Sequence, residues 1–87
     1  MPSIPMCQPD GPRIRELLAA RGYSVAEFAR LIGRRHERTI WNAIADKQVG
    51  VRYIRLIARG LRVKPGEISD WTADDDIWEA EPKVPAA

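Results

Sequence analysis

The sequence is nearly empty of the residues that build disulfides and metal sites. Cys7 is the only cysteine and His36 the only histidine among 87 residues. One cysteine forms neither an intrachain disulfide nor a cysteine-based zinc site, and one histidine excludes a multi-histidine site. No apolar run approaches the ~18 residues that suggest a membrane span, and the start lacks the basic and apolar segments of a secretory signal. We expect a cytoplasmic protein without metal, other cofactor or membrane partner.

The chain also has little material for a catalytic cavity. At 9.8 kDa it suffices for one domain with tails, and a chain of this size buries only ~60% of its unfolded surface. The adjacent pair His36 and Glu37 is the one arrangement that suggests acid–base chemistry. Neighbouring helical residues diverge, however, and no nucleophile is placed nearby. We therefore expect no enzymatic activity.

What the sequence does have is an uneven distribution of charge. Residues 13–64 contain 13 of the 14 lysines and arginines but four acidic residues, a net charge of +9. Residues 72–87 contain five acidic residues against Lys83, a net charge of −4. A basic body attracts polyanions, and an acidic end can compete for the same surface. A solvated surface has the same composition, so charge alone makes nucleic acid a plausible partner and no more.

The apolar spacing predicts an all-α protein. Three prolines and Gly11 indicate an irregular lead-in over residues 1–11, and no run of alternating β-branched residues indicates a strand. Apolar residues then recur at helical spacing through a domain over residues 12–71, before an acidic tail over residues 72–87. The five predicted helices lie near 12–21, between Ser24 and Gly33, from 36 or 37 to 45, from 51 to 62, and from 65 to 71.

The second helix has the clearest local signature. Ser24 followed by Glu27 predicts a capping box, and Tyr23 with Phe28 predicts a hydrophobic staple around it. Ala29 lies one turn before Gly33, which ends the helix. Small residues at this spacing let the next helix approach closely at a steep angle, as a helix-turn-helix unit requires.

The stretch IRELLAARGYSVAEFARLIG, followed by TIWNAIADKQ and YIRLIARGLRVKPGEI, resembles the phage repressor and Cro (XRE) family of helix-turn-helix proteins. It covers about residues 13–68. The resemblance implies a five-helix lambda-repressor-like domain whose third helix lies in the DNA major groove while the second braces the phosphate backbone. Two departures are visible. The turn after Gly33 is one residue longer than is usual in the family, and Val25 replaces a frequent glutamine, so base readout falls to the third helix.

A helical wheel separates the third helix into an inward stripe and a reading face. The inward stripe is Ile40, Ala43 and Ile44. Opposite it, Arg38 suits bidentate contact with guanine, Asn42 suits adenine and Ala45 suits a thymine methyl group. Trp41 lies on the flank, where it could contact a thymine methyl or a sugar, although its side-chain character favours partial burial beside the fourth helix.

Residues around the turn and before the fourth helix are better candidates for phosphates than for bases. In the family this second loop and helix end grip phosphates, which exposed amides near Gly50 and Val51 would permit. For Arg55, Arg59 and Arg62, farther along the fourth helix, a solvated face is the better interpretation. The candidate phosphate contacts are Arg34, Arg35, His36, Thr39, Lys47, Gln48 and Arg52.

The tail leaves several roles open. Thr72 or Asp74 could cap a short sixth helix through Glu79, with Ile77 and Trp78 as its apolar surface. Such a helix could be a strut docked on the same chain, a contact for a second copy or another protein, or an acidic segment that screens the DNA face. The strut is favoured because small domains need extra burial. Consecutive acids such as Asp74–Asp76 are usually solvated rather than metal ligands.

These observations together predict a bacterial or phage regulator that binds double-stranded DNA sequence-specifically and represses transcription by occluding its site. Two copies on a two-fold site would place their reading helices ~34 Å apart, although the sequence does not require a homodimer. One alternative is the antitoxin of a toxin–antitoxin pair, with the tail holding the toxin. Another is a protein-interaction adaptor on the same fold, against which the basic turn and the outward Arg38 and Asn42 argue.

Overall fold

The computed structural model describes residues 5–33 and 37–78, and within them the chain is mostly helical with a short two-stranded sheet. The sheet is a correction to the predicted all-α class. The elements are β1 (Met6–Cys7), α1 (Gly11–Ala20), α2 (Val25–Ile32), α3 (Glu37–Ile44), β2 (Val49–Gly50), α4 (Val51–Leu61) and α5 (Pro65–Ile68). None of these helices is long and apolar enough to cross a membrane.

The start of α2 confirms the predicted capping box and staple. The Ser24 hydroxyl accepts a hydrogen bond from the Glu27 amide at 3.1 Å, and the Glu27 carboxylate accepts one from the Ser24 amide at 3.0 Å. The second bond holds the pKa of Glu27 below its ordinary value, because it favours the ionised carboxylate. The rings of Tyr23 and Phe28 lie 5.9 Å apart. Gly33 follows the helix with φ of +115°, a conformation that favours glycine.

The last helix is shorter than predicted. It ends at Ile68 rather than near Trp71, because Ser69 is drawn into an extended conformation that pairs with Pro9. The Ser69 hydroxyl donates a hydrogen bond to the Pro65 carbonyl oxygen at 2.8 Å and accepts one from the Trp71 amide at 3.2 Å. The pairing of Ser69 with Pro9 and the two hydrogen bonds of the Ser69 hydroxyl therefore end the helix after a single turn.

The five helices meet in one core. Close approach between α2 and α4 depends on Gly60, where an added Cβ would lie 2.8 Å from the Phe28 ring. Residues that are at most 1% exposed come from all five helices, and the larger ones are Ile14, Phe28, Ile40, Ile54, Ile57, Leu61 and Ile68.

Residues 5–10 of the lead-in are ordered around a short strand, which corrects the prediction of an irregular segment for this part, while residues 1–4 lie outside the described ranges. Met6 pairs with Gly50 and Cys7 with Val49 in an antiparallel register. The prolines that argued against structure lie at either side of this two-residue strand, where a missing N–H is tolerated. Cys7 is buried, and burial is the main cause that raises the pKa of its thiol. The lead-in therefore pairs with the connection before α4 and with the chain after α5.

The described part of the tail forms turns rather than a sixth helix. Its side chains are held by the helical body: the Asp74 carboxylate binds Arg55, and the Trp78 indole N–H donates to the Val63 carbonyl oxygen at 2.8 Å. The Asp75 carboxylate accepts a hydrogen bond from the Gly66 amide at 3.0 Å. Residues 72–78 thus form a strut docked on the same chain, the role that the sequence favoured.

Candidate nucleic-acid interface

Helix α3 is anchored on one face only. Its inward stripe, predicted from the helical wheel, is buried, and the helix packs against both α1 and α2. Ala29 of α2 is 2% exposed, in keeping with the small side chain that the close approach of two helices requires. The opposite face of α3 is left at the surface.

The predicted reading residues lie together on that surface. Arg38 and Ala45 are exposed and Asn42 is half-buried. Arg38 makes no ion pair with any other residue in the ranges 5–33 and 37–78. The Arg38 guanidinium and the Asn42 side-chain amide lie one turn apart. Together they offer hydrogen-bond donors and an acceptor to a partner molecule.

Trp41 is placed differently from the prediction. Its side chain is 52% exposed, and it lies beside Leu18, Val25 and Ile44 in a shallow depression formed by α1, α2 and α3. The flank of α3 that meets α4 is instead the one with Thr39, next to Tyr53. Because residues two apart on a helix point in nearly opposite directions, the contact of Thr39 with α4 directs Trp41 away from α4.

The candidate phosphate contacts are divided by the structure. Lys47, Gln48 and Arg52 are exposed around the connection into α4, whereas Thr39 is half-buried. Asp46, the acidic residue in this connection, is bound within the protein: its carboxylate accepts a hydrogen bond from the Gly11 amide at 2.7 Å. The predictions for Arg34, Arg35 and His36 concern residues outside the described ranges.

The expected amide grip at the start of α4 is not available as predicted. The Val51 amide donates a hydrogen bond to the Pro5 carbonyl oxygen at 2.9 Å, and Gly50 is paired with Met6 in the sheet. Both Gly50 and Val51 are buried. No local pattern could predict this contact, because Pro5 and Val51 lie more than forty residues apart in the sequence. Phosphate binding here would depend on side chains.

Two exposed arginines of α4, Arg55 and Arg59, contact other side chains of the protein. Arg55 binds the Asp74 carboxylate through two nitrogens, at 2.6 and 3.3 Å, and the Trp71 indole N–H donates to the same carboxylate at 2.9 Å. These bonds, led by that of Arg55, hold the pKa of Asp74 below its ordinary value. The Arg59 guanidinium lies 5.3 Å from the centre of the Trp78 ring. Arg55 and Arg59 thus attach the tail to α4, whereas Arg62 is exposed, as the solvated-face interpretation expects.

The cysteine and acidic side chains of the described residues are dispersed rather than clustered. Within residues 5–33 and 37–78, no group of three or more histidine, cysteine, aspartate or glutamate side chains could hold a metal ion. The Asp74–Asp76 run is divided between Arg55, the Gly66 amide and solvent. Comparison of the chain with protein-family models, with curated proteins and with solved structures finds no match.

Proposed function

We propose that the protein binds double-stranded DNA sequence-specifically as a helix-turn-helix regulator of the phage repressor and Cro type, with α2 and α3 as the two helices of the unit. The observation that carries the proposal is the surface of α3. Arg38 is exposed and without an ion pair among the described residues, Asn42 lies one turn away, and the opposite side of the helix is buried.

In this proposal α3 enters the major groove, which is ~12 Å wide and admits a helix. The Arg38 guanidinium donates to O6 and N7 of a guanine, and Asn42 pairs with the N6 and N7 edge of an adenine. Ala45 lies against a thymine methyl group. Trp41, on the flank that faces α1 and α2, would meet a sugar or a thymine methyl at the groove's edge.

Phosphate contacts would fix the register of α3 on the duplex. The exposed side chains of Lys47, Gln48 and Arg52 surround the start of α4, and the basic residues Arg34 and Arg35 precede α3 in the sequence. Because the Val51 amide is occupied by Pro5, cationic side chains carry this part of the affinity. Their contacts release counterions, so we expect affinity to fall steeply with salt.

The physiological action that follows is repression by occlusion of promoter or operator DNA. Two protomers on a two-fold site would place their α3 helices in successive major grooves. No catalytic step is required for this action.

Selection of bound fragments from a random pool of double-stranded DNA tests the proposal. We expect a recovered motif with a guanine and an adenine in one half-site, in keeping with Arg38 and Asn42, and two-fold symmetry if two copies bind. A salt titration on the selected duplex and on random DNA then separates specific from nonspecific binding. Failure to enrich any motif, or equal affinity for the selected duplex and for random DNA at every salt concentration, would refute sequence-specific binding.

A further inference from the structure

An apolar groove lies between α2 and α4, away from the α3 surface. Its apolar lining includes Leu31, Ile32 and Leu56, and the open groove has a volume of about 660 Å³. Leu31 is 56% exposed and Leu56 36% exposed. These two leucines leave exposed apolar surface in the groove, and a partner could bury it.

The rim of this groove is basic. Arg21, Arg59 and Arg62 line it, and no acidic residue does. Arg59 is held in place by its contact with the Trp78 ring. Neither Arg21 nor Arg62 forms an ion pair with another residue in the ranges that the structure describes. The groove thus combines an apolar lining with two cations, Arg21 and Arg62, that have no ion pair among the described residues and can bind carboxylates.

The groove is separate from the proposed DNA surface. No residue of α3 lines it. Leu56, Arg59 and Arg62 belong to the second half of α4 and the residue after it, whereas Arg52 lies in the first turn. At 1.5 Å per residue, Arg52 and Arg59 are ~10 Å apart along the helix axis. A ligand in the groove can therefore bind while α3 occupies DNA.

We propose that this groove binds an acidic amphipathic helix of a partner protein. Leucine-type side chains on one face of that helix, at spacings of three and four residues, would enter between Leu31 and Leu56. Its glutamates or aspartates would reach the arginines of the rim. Charge complementarity selects this occupant over a second copy of the chain, because a symmetric contact through the same face would bring like-charged rims together.

Nuclear magnetic resonance titration of the ¹⁵N-labelled full chain tests this inference. The probe is a synthetic peptide designed as an amphipathic helix, with leucines on one face and glutamates elsewhere, and its counterpart has lysine at every glutamate position. We expect the glutamate peptide to shift the amide signals of Leu31, Leu56 and Arg62 and to bind ~10-fold or more tightly than the lysine peptide at low salt.

A matched pair of variants gives the control. Leu56→Ser should weaken the glutamate peptide ~10-fold or more, since it removes a buried leucine contact, and Ile77→Ser should not. Ile77 is 79% exposed and lies outside the groove. DNA binding by both variants should equal that of the wild type, so loss of the peptide site and loss of the proposed DNA site are distinguishable.

Three outcomes would overturn the proposal. The first is equal affinity for the two peptides, or shifts confined to other surfaces. The second is concentration-dependent shifts of the groove signals without peptide, which would assign the groove to a second copy. The third is displacement of those signals on removal of residues 79–87 or on addition of DNA, which would assign it to the chain's own end or to nucleic acid.

Discussion

Helices α3 and α4 both present arginines on their outward faces, but the two surfaces differ in how those arginines are used. On α4, Arg55 is bound to Asp74 and Arg59 lies against Trp78. On α3, Arg38 makes no ion pair among the described residues. A basic stripe in a sequence is therefore not by itself a binding surface. The arginines that can serve a partner are those that the protein's own acids and aromatic rings have not engaged.

Trp78 and Trp41 show the same contrast between an engaged and an exposed side chain. Trp78 donates its indole N–H to the Val63 carbonyl oxygen and packs against the core, whereas Trp41 on α3 is half exposed and lies in an open depression. Trp78 therefore contributes to the stability of the fold, whereas half of the Trp41 side chain remains exposed to solvent. Paired variants, one on the α3 surface and one on the α4 surface, test whether the two surfaces differ in this way.

The largest expected effect is on stability, from Trp78→Ala. Loss of its packing, its hydrogen bond and its contact with Arg59 should lower the free energy of unfolding by ~2–4 kcal/mol. Trp41→Ala, the matched control, should change it by less than ~0.5 kcal/mol because its ring is exposed. Urea unfolding followed by circular dichroism gives both values. Equal losses for the two variants would remove the distinction between the surfaces.

The next effect is on DNA binding, from Arg38→Ala. We expect a loss of ~1–3 kcal/mol at the selected site, with relaxed preference at one base pair. Arg55→Ala should leave affinity nearly unchanged, because its guanidinium is engaged by Asp74. Fluorescence anisotropy on a panel of single-base substituted duplexes measures both. A uniform loss on every duplex would make Arg38 a phosphate contact instead.

A smaller effect is expected at the start of α2, which supports the buried face of α3. Ser24→Ala removes the hydroxyl that caps the Glu27 amide and should cost ~1 kcal/mol of unfolding free energy. Ser24→Asp retains an acceptor and should restore most of it. Thermal unfolding of the three proteins is the measurement. Similar melting temperatures for wild type and Ser24→Ala would show that the cap contributes little to this helix.

The smallest effect concerns the pH dependence of the α4 surface. The pKa of Asp74 is lowered in the folded protein, so its contribution to stability is present above the unfolded-state pKa, ~4, and is lost as pH falls through the folded value. Asp74→Asn should flatten the fall in melting temperature below about pH 4. Asp76→Asn, at an exposed neighbouring carboxylate, serves as the control. An identical pH profile for wild type and Asp74→Asn would contradict a role for the ion pair.

Local elements were predicted well because neighbouring residues determine them. The Ser24 and Glu27 cap, the Gly33 end and the inward stripe of α3 each depend on side chains within a few positions of one another. The same periodicity places Arg38 and Ala45 on the exposed side of α3. The assignment of those residues to bases is a prediction that follows from the family resemblance and from side-chain chemistry.

The errors concern contacts between distant parts of the chain. Prolines suggested an irregular lead-in, but Cys7 pairs with Val49. Asp74 was a candidate cap for a short sixth helix, but its carboxylate is bound by Arg55, 19 residues earlier. Side-chain character placed Trp41 beside α4, but the packing of Thr39 decides which flank of α3 meets that helix. Periodicity within a helix carries no information about which neighbour covers each flank.

Local residue patterns set the helices, where α2 begins and ends, and which side of α3 is apolar, because 3.6-residue periodicity and capping depend on near neighbours. Packing between distant segments makes the lead-in cover the start of α4, lets the tail engage two arginines, and leaves a basic-rimmed apolar groove open. Those features require residues far apart in the chain to meet, and such meetings are fixed by how the helices pack.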